Sequence, residues 1–109
     1  MSLKIKIILD EKENRWNILP EGEIDIYTSP KFKQEVLDAF DRDGKDLLID
    51  CKDLEYMDST GLGSLIYILK KVKEKDHKIY IDNIKPNIKK LFDITKLDKL
   101  FIIRGEISE

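Results

Sequence analysis

The sequence predicts an α/β fold: one domain over residues 1–109, built on a mixed, mostly parallel sheet of four to five strands, with an N-terminal hairpin and helices packed mainly on one face. Three observations carry that prediction. Short apolar runs bounded by turn residues alternate with longer stretches whose apolar residues recur at helical spacing, and this β-β-α-β-α-β-α-β order implies right-handed crossovers between parallel strands. The first two runs are separated only by a polar turn, which makes them a hairpin. At 109 residues, with no internal repeat and no Gly/Ser/Pro-rich linker, the chain has room for one core and not for two.

Leu3, Ile5, Ile7 and Leu9 alternate with Lys4, Lys6 and Ile8, the period of a strand buried on one side. Asp10 to Asn14 is a polar turn, and Arg15 to Leu19 returns as the second strand with Trp16 and Ile18 on one face. Ser29-Pro30 signals a helix start, with Ser29 as the cap and proline in the first helical position. Phe32, Val36, Ala39 and Phe40 continue at helical spacing as far as Gly44. Leu47-Leu48-Ile49, between two aspartates, reads as a strand buried on both faces. From Ser59, the residues Leu62, Leu65, Ile66, Leu69 and Val72 mark an amphipathic helix ending near Lys75. Ile79-Tyr80-Ile81 is a buried strand, Pro86 opens a short helix with Ile88, Leu91 and Phe92 inward, and Leu100 to Ile103 is the last strand.

Composition excludes several classes of function. Twenty Lys+Arg against twenty-two Asp+Glu leave a net charge of -2, with the signs interspersed. Such a chain has no basic face for a phosphate backbone, so no direct nucleic-acid partner is expected. No apolar run approaches the ~20 residues of a membrane helix, and no basic segment followed by an apolar one opens the chain. A cytoplasmic protein without membrane association is expected. The single cysteine, Cys51, gives neither an internal disulfide nor a CxxC-type metal site, and no cofactor or metal is expected.

One segment departs from local preference. Tyr56-Met57-Asp58-Ser59-Thr60-Gly61-Leu62-Gly63 joins a buried strand to the longest helix, the kind of turn where open α/β sheets carry functional groups. Gly61 and Gly63 cost a helix roughly 1 kcal/mol each relative to alanine. Either close packing of helix on sheet requires them, or bare backbone around Ser59 forms a docking face. As a nucleophile, Ser59 lacks the glycine two residues earlier that a nucleophile elbow needs, since Met57 stands there. His77, the only histidine, lies in the loop Lys75-Asp76-His77-Lys78 beyond a helix spanning over ~20 Å, which rules out a Ser–His pair within one subunit. Neither GxxxxGK[ST] nor GxGxxG is present, and Asp58 beside the helix start opposes a free phosphate.

A charge switch fits better. A serine at a helix N-terminus can carry a covalent phosphate, which the dipole and free amides stabilise by about 0.3–1 kcal/mol. Against a partner carboxylate ~8 Å away, a charge of about -2 is repelled by roughly 1 kcal/mol in water and about 4 kcal/mol at an effective dielectric of 20. That dissociates a modest complex while the domain stays folded.

Three stretches resemble the STAS-domain family and, within it, the bacterial anti-sigma factor antagonists. Gly22-Glu23-Ile24-Asp25-Ile26-Tyr27-Thr28-Ser29 is similar to the family's loop before the first helix. Tyr56 to Gly63 is similar to its phosphorylation loop, and Leu91-Phe92-Asp93-Ile94-Thr95 with Leu97 to a later segment. The resemblance covers essentially the whole chain, and the middle stretch is the specific one. It implies a STAS-type fold, and a non-enzymatic protein that binds an anti-sigma factor with ATP-dependent serine kinase activity and so frees a sigma factor. It further implies that phosphorylation of Ser59 switches binding off and that a PP2C-type phosphatase resets it. By position, the partner-binding set is Asp25, Thr28, Asp58, Ser59, Thr60, Gly61, Leu62 and Gly63. Two places depart from the family: Asp76-His77 and Lys96 stand where glycine is usual.

Other residues have plainer readings. Apart from the resemblance, Asp25 reads as a solvated or turn-stabilising loop acid; Trp16 and Phe92 read as core, Cys51 as inert packing, His77 as surface, and the paired lysines as solvated helix faces. A monomer is expected. The competing functions are a soluble STAS subunit of a transport complex, of the lipid-exporting ABC type, and a small hydrolase using Ser59.

Overall fold

The computed structural model describes residues 2–105, and the remaining residues of the expected 1–109 domain lie outside the described ones. The elements run β1 (Leu3–Asp10), β2 (Arg15–Ile24), α1 (Ser29–Arg42), β3 (Asp46–Asp50), β4 (Leu54–Met57), α2 (Ser59–Lys73), β5 (Ile79–Asp82), α3 (Pro86–Ile94), a 3-10 turn (Leu97–Lys99) and β6 (Ile102–Arg104). β1 and β2 pair antiparallel from Leu3↔Gly22 to Asp10↔Arg15, the expected hairpin. The other ladders are parallel, in the order β1-β2-β3-β5-β6 with β4 beside β2.

β2 is the long strand of the sheet, and it serves two parallel neighbours in turn. Arg15 to Ile18 pair with Asp46 to Ile49 of β3, and Gly22 to Ile24 pair with Leu54 to Met57 of β4. Pro20, which has no N–H to give a ladder, falls between the two. Gly22 sits at φ +113, and a Cβ there would collide with the carbonyl oxygen of Ser2. The sheet therefore has six strands where four to five were expected. β4 escaped the periodicity because it has four residues with only its ends, Leu54 and Met57, buried.

The core lies on one side of the sheet. Trp16, Ile18, Leu47, Ile49, Ile79 and Ile81 face Phe32, Val36 and Ala39 of α1, Leu65, Ile68 and Val72 of α2, and Ile88 and Phe92 of α3 in one buried cluster. Register places Ile8, Asn17, Leu48, Tyr80 and Ile102 in a row, so the alternate residues form the other side. Trp16 is core as expected, and its Nε1 donates to the Asp43 carbonyl at 2.8 Å. Cys51 is buried beside Asp50 and Asp82; burial first and these charges second push its thiol up to about 12, so it is inert packing.

Element ends correct several expectations. Thr28, not Ser29, is the N-cap of α1, and Ser29 is its first residue, buried at 5% exposure. α1 stops at Arg42, two residues short of Gly44, because the backbone of Asp43 turns extended (φ -154, ψ 105) while its amide still bonds the Ala39 carbonyl. β6 is shifted to Ile102–Arg104, since Leu100 closes the 3-10 turn and Phe101 turns into the core. His77 is half-buried rather than a free surface group: its Nδ1 lies 3.0 Å from Asp46 Oδ1 and its ring meets Phe40 edge-on. Asp76 (φ 62) and Lys96 (φ 60), where the resemblance implied glycine, both have the left-handed backbone that glycine favours.

Candidate functional site

The C-terminal ends of β2 and β4 lie side by side because the strands are parallel neighbours. The loop from β2 into α1 and the loop from β4 into α2 are therefore adjacent. This is the carboxyl edge of the sheet, where open α/β folds place their sites. The amide of Asp58 donates to the Ile24 carbonyl at 3.3 Å and ties the two loops together. Gly61 then passes so close to β2 that a Cβ would collide with the Ile24 carbonyl oxygen and crowd Met57 Cγ at 2.9 Å. For this glycine the close-packing reading holds.

The start of α2 divides its tasks between neighbouring residues. Asp58 is the N-cap: its backbone is extended and its Oδ1 accepts from the Gly61 amide at 2.9 Å. This corrects the expectation that Ser59 caps the helix. Ser59 is the first helical residue and is exposed, as is Thr60 after it. The first amides of a helix have no intrahelical acceptor, so their partial positive charge faces the same solvent as these hydroxyls. Ser64, one turn on, is buried and donates to the Gly61 carbonyl at 2.6 Å.

Asp25 organises the neighbouring loop. Its Oδ1 accepts from the amides of Tyr27 and Thr28 at 2.9 and 3.0 Å. Its own amide donates to Thr28 Oγ1 at 2.9 Å, and that hydroxyl donates to the Glu23 carbonyl at 2.8 Å. The carboxylate is 4% exposed, so the turn-stabilising reading holds and the solvated one does not. Burial pushes its pKa up, but the Thr28 and Tyr27 amides and the Thr28 hydroxyl together outweigh it and hold the carboxyl below its ordinary value. Its second oxygen, Oδ2, is buried without a hydrogen-bond partner among the described residues, as is Glu23 Oε1.

Of the residues singled out from sequence, Asp25, Thr28, Asp58, Ser59, Thr60 and Gly63 come together at this edge. Gly61 and Leu62 belong to the same turn but face inward, Leu62 at 3% exposure, so they shape the surface instead of presenting it. His77 sits with Asp46 at the start of β3, the opposite end of the sheet. Composition and spacing passed over Ile26 and Tyr27, which stand 60% and 80% exposed between Asp25 and Thr28. Two large apolar residues in a loop of only four were the available signal. Lys33 and Tyr67, on the α1 and α2 walls beside Thr60 and Gly63, were also missed.

Two outcomes follow from this packing. Gly61→Ala should destabilise the fold by about 3 kcal/mol, the upper range for overpacking, because the obstacle is backbone; an unchanged urea midpoint would contradict the close approach. Asp25 binds its proton more readily unfolded than folded, so it stabilises above the ordinary carboxylate value of 3.8, and that contribution fades as pH falls below it. Asp25→Asn should therefore be less stable than the parent at pH 7 in denaturant titrations and should converge on it in acid; a pH-independent difference would contradict the assignment.

Comparison with known proteins gives the family and the fold. Residues 7–109 match the STAS domain. The chain is 34% identical over 104 residues to the anti-sigma-B factor antagonist of Bacillus subtilis (strain 168), across 95% of this chain and 94% of that one. The fold is similar to an anti-sigma factor antagonist from Mycobacterium paratuberculosis, at TM-score 0.81 and 24% identity over 97% of this chain and 88% of that one. It is also similar to the anti-sigma factor antagonist SpoIIAA in its unphosphorylated form, at TM-score 0.75 and 14% identity over 95% and 90% of the two chains. The phosphorylated form of SpoIIAA gives TM-score 0.72 and 16% identity over 94% and 93%. With a match along nearly its whole length, this chain belongs to the anti-sigma factor antagonist family of STAS-domain proteins.

Proposed function

We propose that the chain is a non-enzymatic regulator that binds an anti-sigma factor in its unphosphorylated state, and that phosphorylation of Ser59 ends the binding. The observation that carries this reading is the division of labour at the start of α2. Asp58 makes the cap bond and Gly61 the close contact, so Ser59 is exposed and its hydroxyl holds no structural post among the described residues. A phosphoryl group transferred to Ser59 Oγ from ATP on the partner leaves both in place. It adds about -2 of charge beside Asp58, and the helix dipole returns only about 0.3–1 kcal/mol of stabilisation. A partner carboxylate nearby meets a larger repulsion, roughly 1–4 kcal/mol. The partner would thus be an anti-sigma factor that is also a serine kinase, with a PP2C-type phosphatase resetting the serine.

The loop from Asp25 to Thr28 completes the surface. Asp25 holds the turn from within, so that Ile26 and Tyr27 project outward, with Ile26 in the same groove as Thr60. A cytoplasmic, monomeric regulator is in keeping with this scheme. No helix among the described residues is long and apolar enough to cross a membrane. Lys4 and Lys6 alternate along β1, the hairpin's free edge, where lysines discourage edge-to-edge pairing.

Ser59→Asp and Ser59→Ala baits, compared side by side with ADP present, test the proposal. Ser59→Ala should retain the anti-sigma factor and Ser59→Asp should bind it roughly tenfold more weakly or worse, with cooperative melting of both close to the parent. Equal binding by the two baits, or a collapse in melting temperature for Ser59→Asp alone, would overturn it. Recovery of transporter subunits by both would favour the transport-complex reading instead.

A further inference from the structure

The two glycines of the α2 start are not equivalent. Gly61 is required by the approach to β2, whereas a Cβ at Gly63 would meet nothing within 4 Å. Gly63 is exposed and its φ lies outside the left-handed region. Glycine weakens a helix at such a position, and no contact among the described residues gives a reason for it. Its surroundings do. Gly63 forms the floor of a groove of about 370 Å³ between α1 and α2, walled by Ile26, Pro30, Lys33, Thr60 and Tyr67.

The groove has a polarity. Thr60, Gly63, Tyr67 and Lys71 follow one another at helical spacing along one face of α2, over roughly 16 Å. One end abuts Asp58 and Ser59. At the other, Lys33 Nζ stands 4.6 Å and Lys71 Nζ 5.5 Å from the centroid of the Tyr67 ring, so one ring has a cation–π contact with each lysine. Neither lysine pairs with a carboxylate among the described residues. Between the two ends, Ile26 (60% exposed), Pro30 and Tyr67 (43% exposed) offer apolar surface around the bare Gly63, with the hydroxyl residues Ser29, Thr60 and Ser64 among them.

Resting on the antagonist reading above, we infer that this groove receives a segment of the anti-sigma factor that lays an apolar side chain over Gly63 and brings a carboxylate to Lys33 and Lys71. Charge complementarity names the occupant: an acidic and apolar segment satisfies the unpaired cations, whereas a basic one would be repelled there. Gly63 admits the segment at backbone distance. The cationic end also sets its direction along α2, so that the neighbouring part of the partner meets Ser59 at the acidic end.

The test is titration calorimetry of the cognate anti-sigma factor, bound to ADP, with the full chain and three variants, each also melted alone. Gly63→Ala should melt about 4 °C higher, as expected for a helix relieved of a glycine, yet bind about tenfold more weakly. Lys33→Glu combined with Lys71→Glu should bind at least about tenfold more weakly and lose most of the salt dependence of binding. Lys73→Glu, a basic residue on the same helix outside the groove, should bind like the parent. If Gly63→Ala and the double reversal bind like the parent while Ser59→Asp does not, the groove assignment falls and the antagonist reading stands. A lowered melting temperature for Gly63→Ala would make Gly63 structural and also overturn the assignment. If the parent chain itself does not bind, both fall.

Discussion

The contact on which the site depends is the approach of the first turn of α2 to the last residue of β2. The Ile24 carbonyl accepts the Asp58 amide and leaves no room for a Cβ on Gly61. That approach exists because β2 outlasts its pairing with β3 and takes β4 as a second parallel partner along the same edge. Without the second ladder, the loops carrying Asp25 and Ser59 would not share one surface. The core follows from the same arrangement: with β2, β3 and β5 presenting alternate residues to one side, α1 and α2 pack next to each other there, and the channel between them is lined at the α2 start by Thr60, the residue after Ser59.

Charge decides what this surface can do. Three carboxylates, those of Glu23, Asp25 and Asp58, are gathered at the end of β2 and the start of α2. Backbone amides offset two of them, through the Tyr27 and Thr28 bonds to Asp25 and the Gly61 bond to Asp58. A phosphate on Ser59 would join a region that already tolerates negative charge by donating N–H groups to it, so the fold has a means of absorbing the modification. A docked protein has no such means unless it evolved donors at the same spot. On the proposed reading, a phosphate on Ser59 would therefore weigh more on the interface than on the fold.

Much of this was legible in the residues. Alternation in Leu3 to Leu9, the Ser29-Pro30 start and the spacing of Leu62, Leu65, Leu69 and Val72 each report a local preference that tertiary packing did not override. β4 was not legible, because four residues with buried ends carry no period, and its pairing depends on β2 being long. The cap of α2 was misplaced by one residue, since Asp58 and Ser59 are both competent caps and only the backbone distinguishes them. The glycines illustrate the limit most clearly: Gly61 and Gly63 look alike in sequence, and only the Ile24 carbonyl opposite one, and empty space opposite the other, separates a packing requirement from a surface feature. Asp76 and Lys96 show the converse, a left-handed backbone at residues whose side chains do not favour it.

The central claim is that phosphate at Ser59 acts by charge on a surface that does not change shape. The most direct measurement is a nitrogen-15 NMR titration with the anti-sigma factor, performed on the chain with and without phosphate on Ser59. The account predicts that phosphorylation alone moves amide signals only around Asp25 to Ser29 and Asp58 to Ser64, with those of Leu47, Ile49, Ile79 and Ile81 unmoved. It also predicts that the partner then perturbs this edge in the unphosphorylated chain only. Broad shifts through the core on phosphorylation, or equal perturbation by the partner in both forms, would contradict it.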